Sequence, residues 1–287
     1  MVTVFSLAAA LLYGSADFLG GAATRRAHVL SVLLVSGTAG VAVVGLAALL
    51  AGGPPRPAGL AWGACAGAAG GVGFMFFYAG LAAGPMGVVA PVSALASTVL
   101  PVAVAFGDGE RPGLRVYAGA LICVAAIVLV SSGGGEPGGI RGFRGRQARG
   151  IGYGIVSGVA FGMFFLFIRN GGESGALWPV AVARLTGTVI FLVAAAGARA
   201  GPLRWRRDGS DGKVFAAALG AGVLDASANV CYVLATRAGL FGLAVVLTSL
   251  YPGVTVLLAR FALGERMRWS RRAGLVLAAV GIVLVTM

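Results

Sequence analysis

The sequence predicts an all-α polytopic membrane protein with ten transmembrane helices arranged as two inverted five-helix repeats. Three observations lead to this prediction. First, 59% of the 287 residues are hydrophobic, only 11% are charged and the mean hydropathy is +0.95, which is too apolar for a water-soluble globule. Second, the chain contains ten apolar windows close to the length of about 20 residues that spans a bilayer. Third, the second half of the chain resembles the first.

The spans can be assigned in order along both halves. The first repeat, residues 1–131, contains predicted spans at 2–22, 29–51, 59–82, 86–106 and 114–131. Residues 132–150 are rich in glycine and arginine, which predicts a flexible cytoplasmic linker that can also contact lipid headgroups. The second repeat, residues 151–287, contains predicted spans at 151–169, 177–198, 214–236, 240–262 and 271–287.

The repeat is most evident near the end of each half. With the numbering shifted by 155, VSALASTVLPVAVAFGDGER, ending at Arg111, overlies LTSLYPGVTVLLARFALGER, ending at Arg266. Both copies end in Gly-Glu-Arg. Because five is an odd number of spans, the second repeat enters the membrane from the opposite side, which is an architecture of secondary transporters.

Basic residues are distributed unevenly between the two predicted faces. Sixteen of the 22 Lys and Arg residues lie on the face that the chain reaches after spans 1, 3, 5, 7 and 9, whereas five lie on the opposite face. This bias predicts that the first face is cytoplasmic and that both termini are outside. It also accounts for the formal charge of +13 without nucleic-acid binding, since no basic run is interleaved with aromatic residues.

Span 3 has a face of small residues. It carries one glycine per helical turn: Gly59, Gly63, Gly67 and Gly71. The shift of 155 maps the last three onto small residues of span 8, namely Ala218, Gly222 and Ala226. Such faces let helices approach closely in lipid. We expect this face to serve packing inside the bundle rather than homodimerisation, in a protein that is a monomer or a weak homodimer.

Three ionisable side chains lie inside predicted spans, where they are costly and therefore candidates for function. Asp17 lies in span 1, and Tyr13 lies one turn before it on the same face. Two interpretations remain open. Asp17 either exchanges a proton or a cationic substrate, or it reaches water at the interface and pairs with Arg25 or Arg26.

The other two ionisable residues carry opposite charges at similar depth in adjacent spans. Asp225 lies at the centre of span 8, followed on the same face by Asn229 and Tyr232. Arg184 lies in span 7 and is the deepest basic residue of the chain. The spacing predicts an Arg184–Asp225 pair. The pair is either a structural salt bridge or part of the lining of a cavity.

Prolines in spans 4 and 9 remove backbone donors in mid-membrane and predict kinked or broken helices beside a cavity. These are Pro91, Pro101 and the tripeptide Tyr251-Pro252-Gly253. Ser93, Ser97 and Tyr251 supply hydroxyl groups nearby. The run FGMFFLF in span 6 has aromatics on all sides, with Phe161 and Phe165 as candidates to line a pocket.

With these features in view, the chain resembles the drug/metabolite transporter superfamily, and specifically its ten-helix EamA-type members. The resemblance covers essentially the whole chain and is strongest at SLYPGVTVLLARFALGER, RRAGLVLAAVGIVLV and LLYGSADFLGG. It implies export or uptake of small metabolites through a cavity between the repeats, by proton coupling or exchange. In four-helix relatives an acidic residue of the first helix carries coupling, and Asp17 is its counterpart here. Many EamA members keep their termini in the cytoplasm, unlike the orientation that the arginines predict.

We therefore expect a multi-pass cell-membrane transporter of a small polar metabolite, with an amino-acid-like solute favoured because Arg184 suits a carboxylate and Asp225 an amine. Its expected partners are this substrate, membrane lipid and protons. A non-transporting scaffold or receptor is the alternative, followed by a membrane enzyme. One histidine, three separate cysteines and no HExxH or GxSxG motif predict no enzyme activity, metal or cofactor.

Overall fold

The structure, a computed structural model, describes residues 1–51, 53–83, 86–109, 113–131, 140–171, 177–197 and 211–263, and isolated positions between 269 and 284. Within these residues it is α-helical and contains no strand. The helices are α1 (Val2–Thr24), α2 (Val29–Ala51), α3 (Pro57–Ala83), α4 (Met86–Gly107), α5 (Leu114–Ser131), α6 (Ile140–Gly171), α7 (Trp178–Gly197), α8 (Asp211–Ala238), α9 (Phe241–Thr248) and α10 (Tyr251–Leu263).

These ten helices are not the ten predicted spans. The first eight predicted spans correspond to α1–α8, but the ninth is divided into α9 and α10. Most of the tenth predicted span and both Gly-Glu-Arg tripeptides, apart from Gly109, lie outside the described residues. The described part of the chain therefore fits the two-repeat membrane fold without establishing ten membrane crossings.

The predicted linker differs from the structure in its second part. Helix α6 begins at Ile140 rather than at residue 151, so residues 140–150 are helical, whereas residues 132–139 lie outside the described part. The segment QAR favours helix, and adding residues to an existing helix avoids the cost of nucleating a new one. Composition alone thus underestimates the length of helix α6, whose membrane-spanning part begins at Arg149.

The apolar surface of the bundle has the character of a membrane protein. Among the described residues, six helices are long and apolar enough to cross a bilayer: Val2–Thr24, Val29–Leu50, Pro57–Ala83, Arg149–Gly171, Trp178–Gly197 and Gly212–Ala238. Shorter apolar helical segments lie at Val92–Pro101 and Tyr117–Ala126, and a third apolar segment, Phe241–Thr255, runs across the junction of α9 and α10. Large apolar side chains such as Leu50 and Val193 are 78% and 67% exposed, an arrangement that lipid favours and water does not.

The two halves pack mainly against each other, and their contacts are reciprocal. Helix α3 packs on α6 and α7, and its counterpart α8 packs on α1 and α2. In the same way α4 packs on α6, and its counterpart, α9 with α10, packs on α1. A two-fold rotation that superposes one half on the other converts each of these helix–helix contacts into its counterpart. The contacts therefore have the pattern expected for a duplicated unit whose copies interlock.

Small residues allow this interlocking, as the glycine face of span 3 predicted. A Cβ atom on Gly67 would collide with the backbone of Ala183 and would lie 2.7 Å from Cβ of Thr186, both in α7. In the counterpart helix, a Cβ atom on Gly222 would collide with the backbone of Ser36 in α2. The small face of each helix is thus occupied by a helix of the other half, and its predicted packing role is confirmed.

The predicted break in span 9 is present, whereas span 4 is continuous. Helix α9 ends at Thr248 and α10 begins at Tyr251, and the Thr98 hydroxyl of α4 donates to the Ser249 hydroxyl at this break over 2.6 Å. Helix α4 runs without interruption past Pro101. The carbonyl oxygen of Ser97, which Pro101 deprives of its helical donor, lies close to Gly162 of α6. Helix α6 therefore approaches α4 closely at the turn where the proline interrupts its hydrogen bonding.

The contact at Gly67 leads to a stability prediction. We expect Gly67→Ala to lower the unfolding free energy by about 1–3 kcal/mol, the usual cost of overpacking, because α3 and α7 must separate. Gly45→Ala is the matched control, since a Cβ atom there meets no other atom within 4 Å. Thermal unfolding in detergent measures both variants. Equal melting temperatures for the two would contradict the assigned packing.

Candidate functional site

A cavity lies between the two halves of the bundle. It contains about 480 Å³ of atom-free space, which includes space open to solvent. Helices α1, α3 and α4 of the first half and α6, α7, α8 and α10 of the second half contribute to its wall. The lining residues are Tyr13, Asp17, Gly70, Phe74, Phe77, Ser97, Phe161, Phe164, Phe165, Arg184, Asp225, Asn229 and Tyr251.

The predicted Arg184–Asp225 pair is formed, and it lies in the cavity wall. The Arg184 guanidinium contacts the Asp225 carboxylate and also lies 3.5 Å from the Asp225 backbone carbonyl. The side chains are only 12% and 10% exposed. The guanidinium carbon lies 5.7 Å from the centre of the Phe74 ring, within cation–π range. The pair thus joins α7 to α8 while remaining accessible from the cavity.

The polar face of α8 is divided between the cavity and the core. Asn229 lines the cavity, is 1% exposed and donates through Nδ2 to the backbone carbonyl of Asp225 over 2.7 Å. Its Oδ1 has no hydrogen-bond partner among the described residues. Tyr232 is completely buried and is not part of the lining; its ring packs on Phe165 with centroids 4.6 Å apart.

Asp17 faces the cavity rather than the membrane interface. It is 8% exposed, and its Oδ2 has no hydrogen-bond partner in the described part of the chain. It forms no ion pair with Arg25 or Arg26, which are exposed at the end of α1. Tyr13 lies on the same wall, and its hydroxyl also lacks a partner among the described residues.

The three predicted hydroxyl residues occupy different positions. Ser97 and Tyr251 line the cavity, and Tyr251 packs edge-on against Tyr13 with ring centroids 6.2 Å apart. Ser93 lies behind the wall, where it is fully buried and accepts a hydrogen bond of 3.0 Å from the Ser157 hydroxyl of α6. Ser93 therefore joins α4 to α6 directly behind the wall, where it also forms a hydrogen bond with Tyr251 of the lining.

An aromatic wall completes the cavity, and sequence reasoning identified only part of it. Phe161 and Phe165 were predicted candidates, but Phe164 and the residues of α3, Gly70, Phe74 and Phe77, were not. A signal for the α3 residues was present, since the shift of 155 maps them onto Asp225, Asn229 and Tyr232. The same helical face therefore lines the site in both halves, with polar residues on α8 and aromatic residues on α3.

Several polar atoms around the cavity lack a hydrogen-bond partner within the described residues. They are Tyr13 Oη, Asp17 Oδ2, Arg184 Nε, Asn229 Oδ1 and, just behind the wall, Tyr232 Oη. Leaving such atoms buried and unsatisfied costs about 1–3 kcal/mol each. The described residues contain no group of three or more His, Cys, Asp or Glu side chains that could hold a metal ion. The arrangement is suited to a polar solute, water or a transferable proton.

Comparisons with known proteins are consistent with this arrangement. One solved structure, described only as "Crystal structure of protein", shares 21% sequence identity and superposes with a TM-score of 0.74, covering 99% of this chain and 96% of that chain. This likeness establishes the fold alone. No curated protein sequence matches the chain. The model of the EamA-like transporter family matches residues 1–132 and 148–287, two repeats that cover nearly the whole sequence. The chain is a multi-pass membrane protein that belongs to the EamA-like transporter family.

Proposed function

We propose that the protein is a secondary active transporter that moves a small polar metabolite across the cytoplasmic membrane through the cavity between the repeats. The observation that carries this proposal is the set of polar atoms that lack a hydrogen-bond partner in the described structure and surround a cavity lined by both halves. A cavity whose walls belong to two interlocked units opens to either side when those units rock against each other. An amino-acid-like solute is favoured because the wall contains both a guanidinium and carboxylates.

Asp17 is the candidate coupling residue. It is buried, faces the cavity and has an oxygen without a partner in the described structure. Uptake of a proton or of a cationic group relieves the cost of a buried carboxylate, so the two ligands compete for one site. Such competition is sufficient for proton coupling or exchange. The cytoplasmic location of the more basic face, and hence the outside location of both termini, forms part of the same proposal.

A first experiment tests the carboxylates. Purified protein in proteoliposomes is supplied with radiolabelled amino acids, amines and sugars under an imposed pH gradient. We expect Asp17→Asn and Asp225→Asn each to reduce flux by about 10- to 100-fold, the value of one charge-assisted contact. Asp108→Asn is the matched control, because Asp108 pairs with Arg169 away from the lining and should retain flux. Flux unchanged in both cavity variants would refute the coupling role.

A second experiment separates a structural ion pair from one that acts on substrate. Asp225→Asn leaves a buried guanidinium without its counter-ion and should cost about 3–5 kcal/mol of stability. The double variant Arg184→Gln/Asp225→Asn removes both charges and should recover most of that stability. If the pair contacts substrate, the recovered protein still transports poorly. Wild-type flux in the stable double variant would show that the pair is structural only.

A further inference from the structure

The charges that line the cavity do not balance. Its described lining contains two carboxylates, Asp17 and Asp225, and one guanidinium, Arg184. Asp225 and Arg184 neutralise each other. Asp17 takes part in neither of the ion pairs formed by the described residues, and its Oδ2 accepts no hydrogen bond from them. With both carboxylates ionised, the lining carries a net charge of −1, centred on Asp17.

The rest of the wall is mostly aromatic. Among the described residues, seven aromatic rings line the cavity: Tyr13, Phe74, Phe77, Phe161, Phe164, Phe165 and Tyr251. Several meet edge to face, as Phe74 and Phe161 do at a centroid distance of 5.1 Å. Ring faces attract cations, and the Arg184 guanidinium already lies over the face of Phe74. The wall is therefore favourable to a cation that carries an apolar body.

An anionic solute suits this lining poorly. It would approach two carboxylates, and the only described cationic side chain of the lining is already paired with one of them. A zwitterion can place its carboxylate at Nε of Arg184, which has no partner among the described residues, but that position lies beside the Asp225 carboxylate that the same guanidinium already neutralises. An amine meets neither obstacle, since Asp17 offers an oxygen without a partner in the described structure.

We propose that the cavity selects monovalent organic amines, with the ammonium group at Asp17 and an apolar or aromatic body against the ring wall. A carboxylate on the solute is dispensable. This inference rests on the proposed function, because it names the substrate class of the same cavity. Of the amino-acid-like solutes, the cavity therefore prefers an amine that lacks the carboxylate to the amino acid from which it would be formed by decarboxylation.

Three probes with the same phenyl body test the charge preference: phenethylamine, phenylalanine and 3-phenylpropionate. Binding to the purified full-length protein in detergent is measured by calorimetry, which requires no transport. We expect the amine to bind at least tenfold more tightly than the other two probes. Tighter binding of phenylalanine, equal binding of all three, or no binding of the amine would overturn the inference.

Two pairs of variants locate the contacts. Asp17→Asn should weaken amine binding by about 10- to 100-fold, whereas Asp108→Asn should leave it unchanged. Phe161→Leu keeps an apolar side chain but removes a ring face, and it should weaken binding by about 2- to 30-fold. Phe76→Leu is its control, since Phe76 lies outside the lining and is 37% exposed. Amine binding that is the same in Asp17→Asn and wild type would contradict the assignment of Asp17.

The same experiments distinguish failure of this inference from failure of the proposed function. Amine binding that depends on Asp17, without flux of any solute in proteoliposomes, would refute transport and leave the ligand assignment intact. Flux of phenylalanine that is insensitive to Asp17→Asn, with no binding of phenethylamine, would support transport and refute the amine.

Discussion

The close approach of helix backbones across the two halves is the constraint on which the structure depends. In lipid, apolar burial does not drive helices together, so association relies on packing and on polar contacts between helices. Gly67 and Gly222 occupy equivalent positions in α3 and α8, and each lies against the backbone of a helix from the other half. Because these contacts are made on the small faces, the halves interlock without filling the space between them, and the cavity remains.

Equivalent positions in the two halves carry side chains of different chemical types. Gly70, Phe74 and Phe77 of α3 are the counterparts of Asp225, Asn229 and Tyr232 of α8. The first set supplies a ring face and space; the second supplies a carboxylate, an amide and a supporting ring. The Arg184 guanidinium contacts both sets, since it is paired with Asp225 and its carbon lies 5.7 Å from the centre of the Phe74 ring. A symmetric scaffold thus surrounds an asymmetric site.

Much of this fold could be predicted from the sequence. The bilayer requires apolar segments of nearly fixed length, and the duplication is detected when the second half of the chain is aligned with the first. The Arg184–Asp225 pair could also be predicted, since an unpaired charge inside a membrane is too costly to keep. The aromatic wall was harder to predict, because the sequence does not distinguish a phenylalanine that faces a cavity from one that faces lipid or the protein core. Phe164 and Phe161 both lie in one run of phenylalanines, and only tertiary contacts assign them. Ser93 shows the converse, since its hydroxyl stabilises the contact of α4 with α6 and does not face the cavity.

The break between α9 and α10 makes the two repeats unequal in backbone continuity. Helix α4 is continuous although Pro101 leaves the Ser97 carbonyl without its helical donor, whereas its counterpart has a two-residue turn between Thr248 and Tyr251. The interruption lies next to Tyr251, which lines the cavity. The wall of the cavity is therefore built from an unbroken helix on one side, which contributes Ser97, and from the first residue of a new helix on the other. Duplication fixes where the two segments lie, but it does not give them the same backbone continuity at the site.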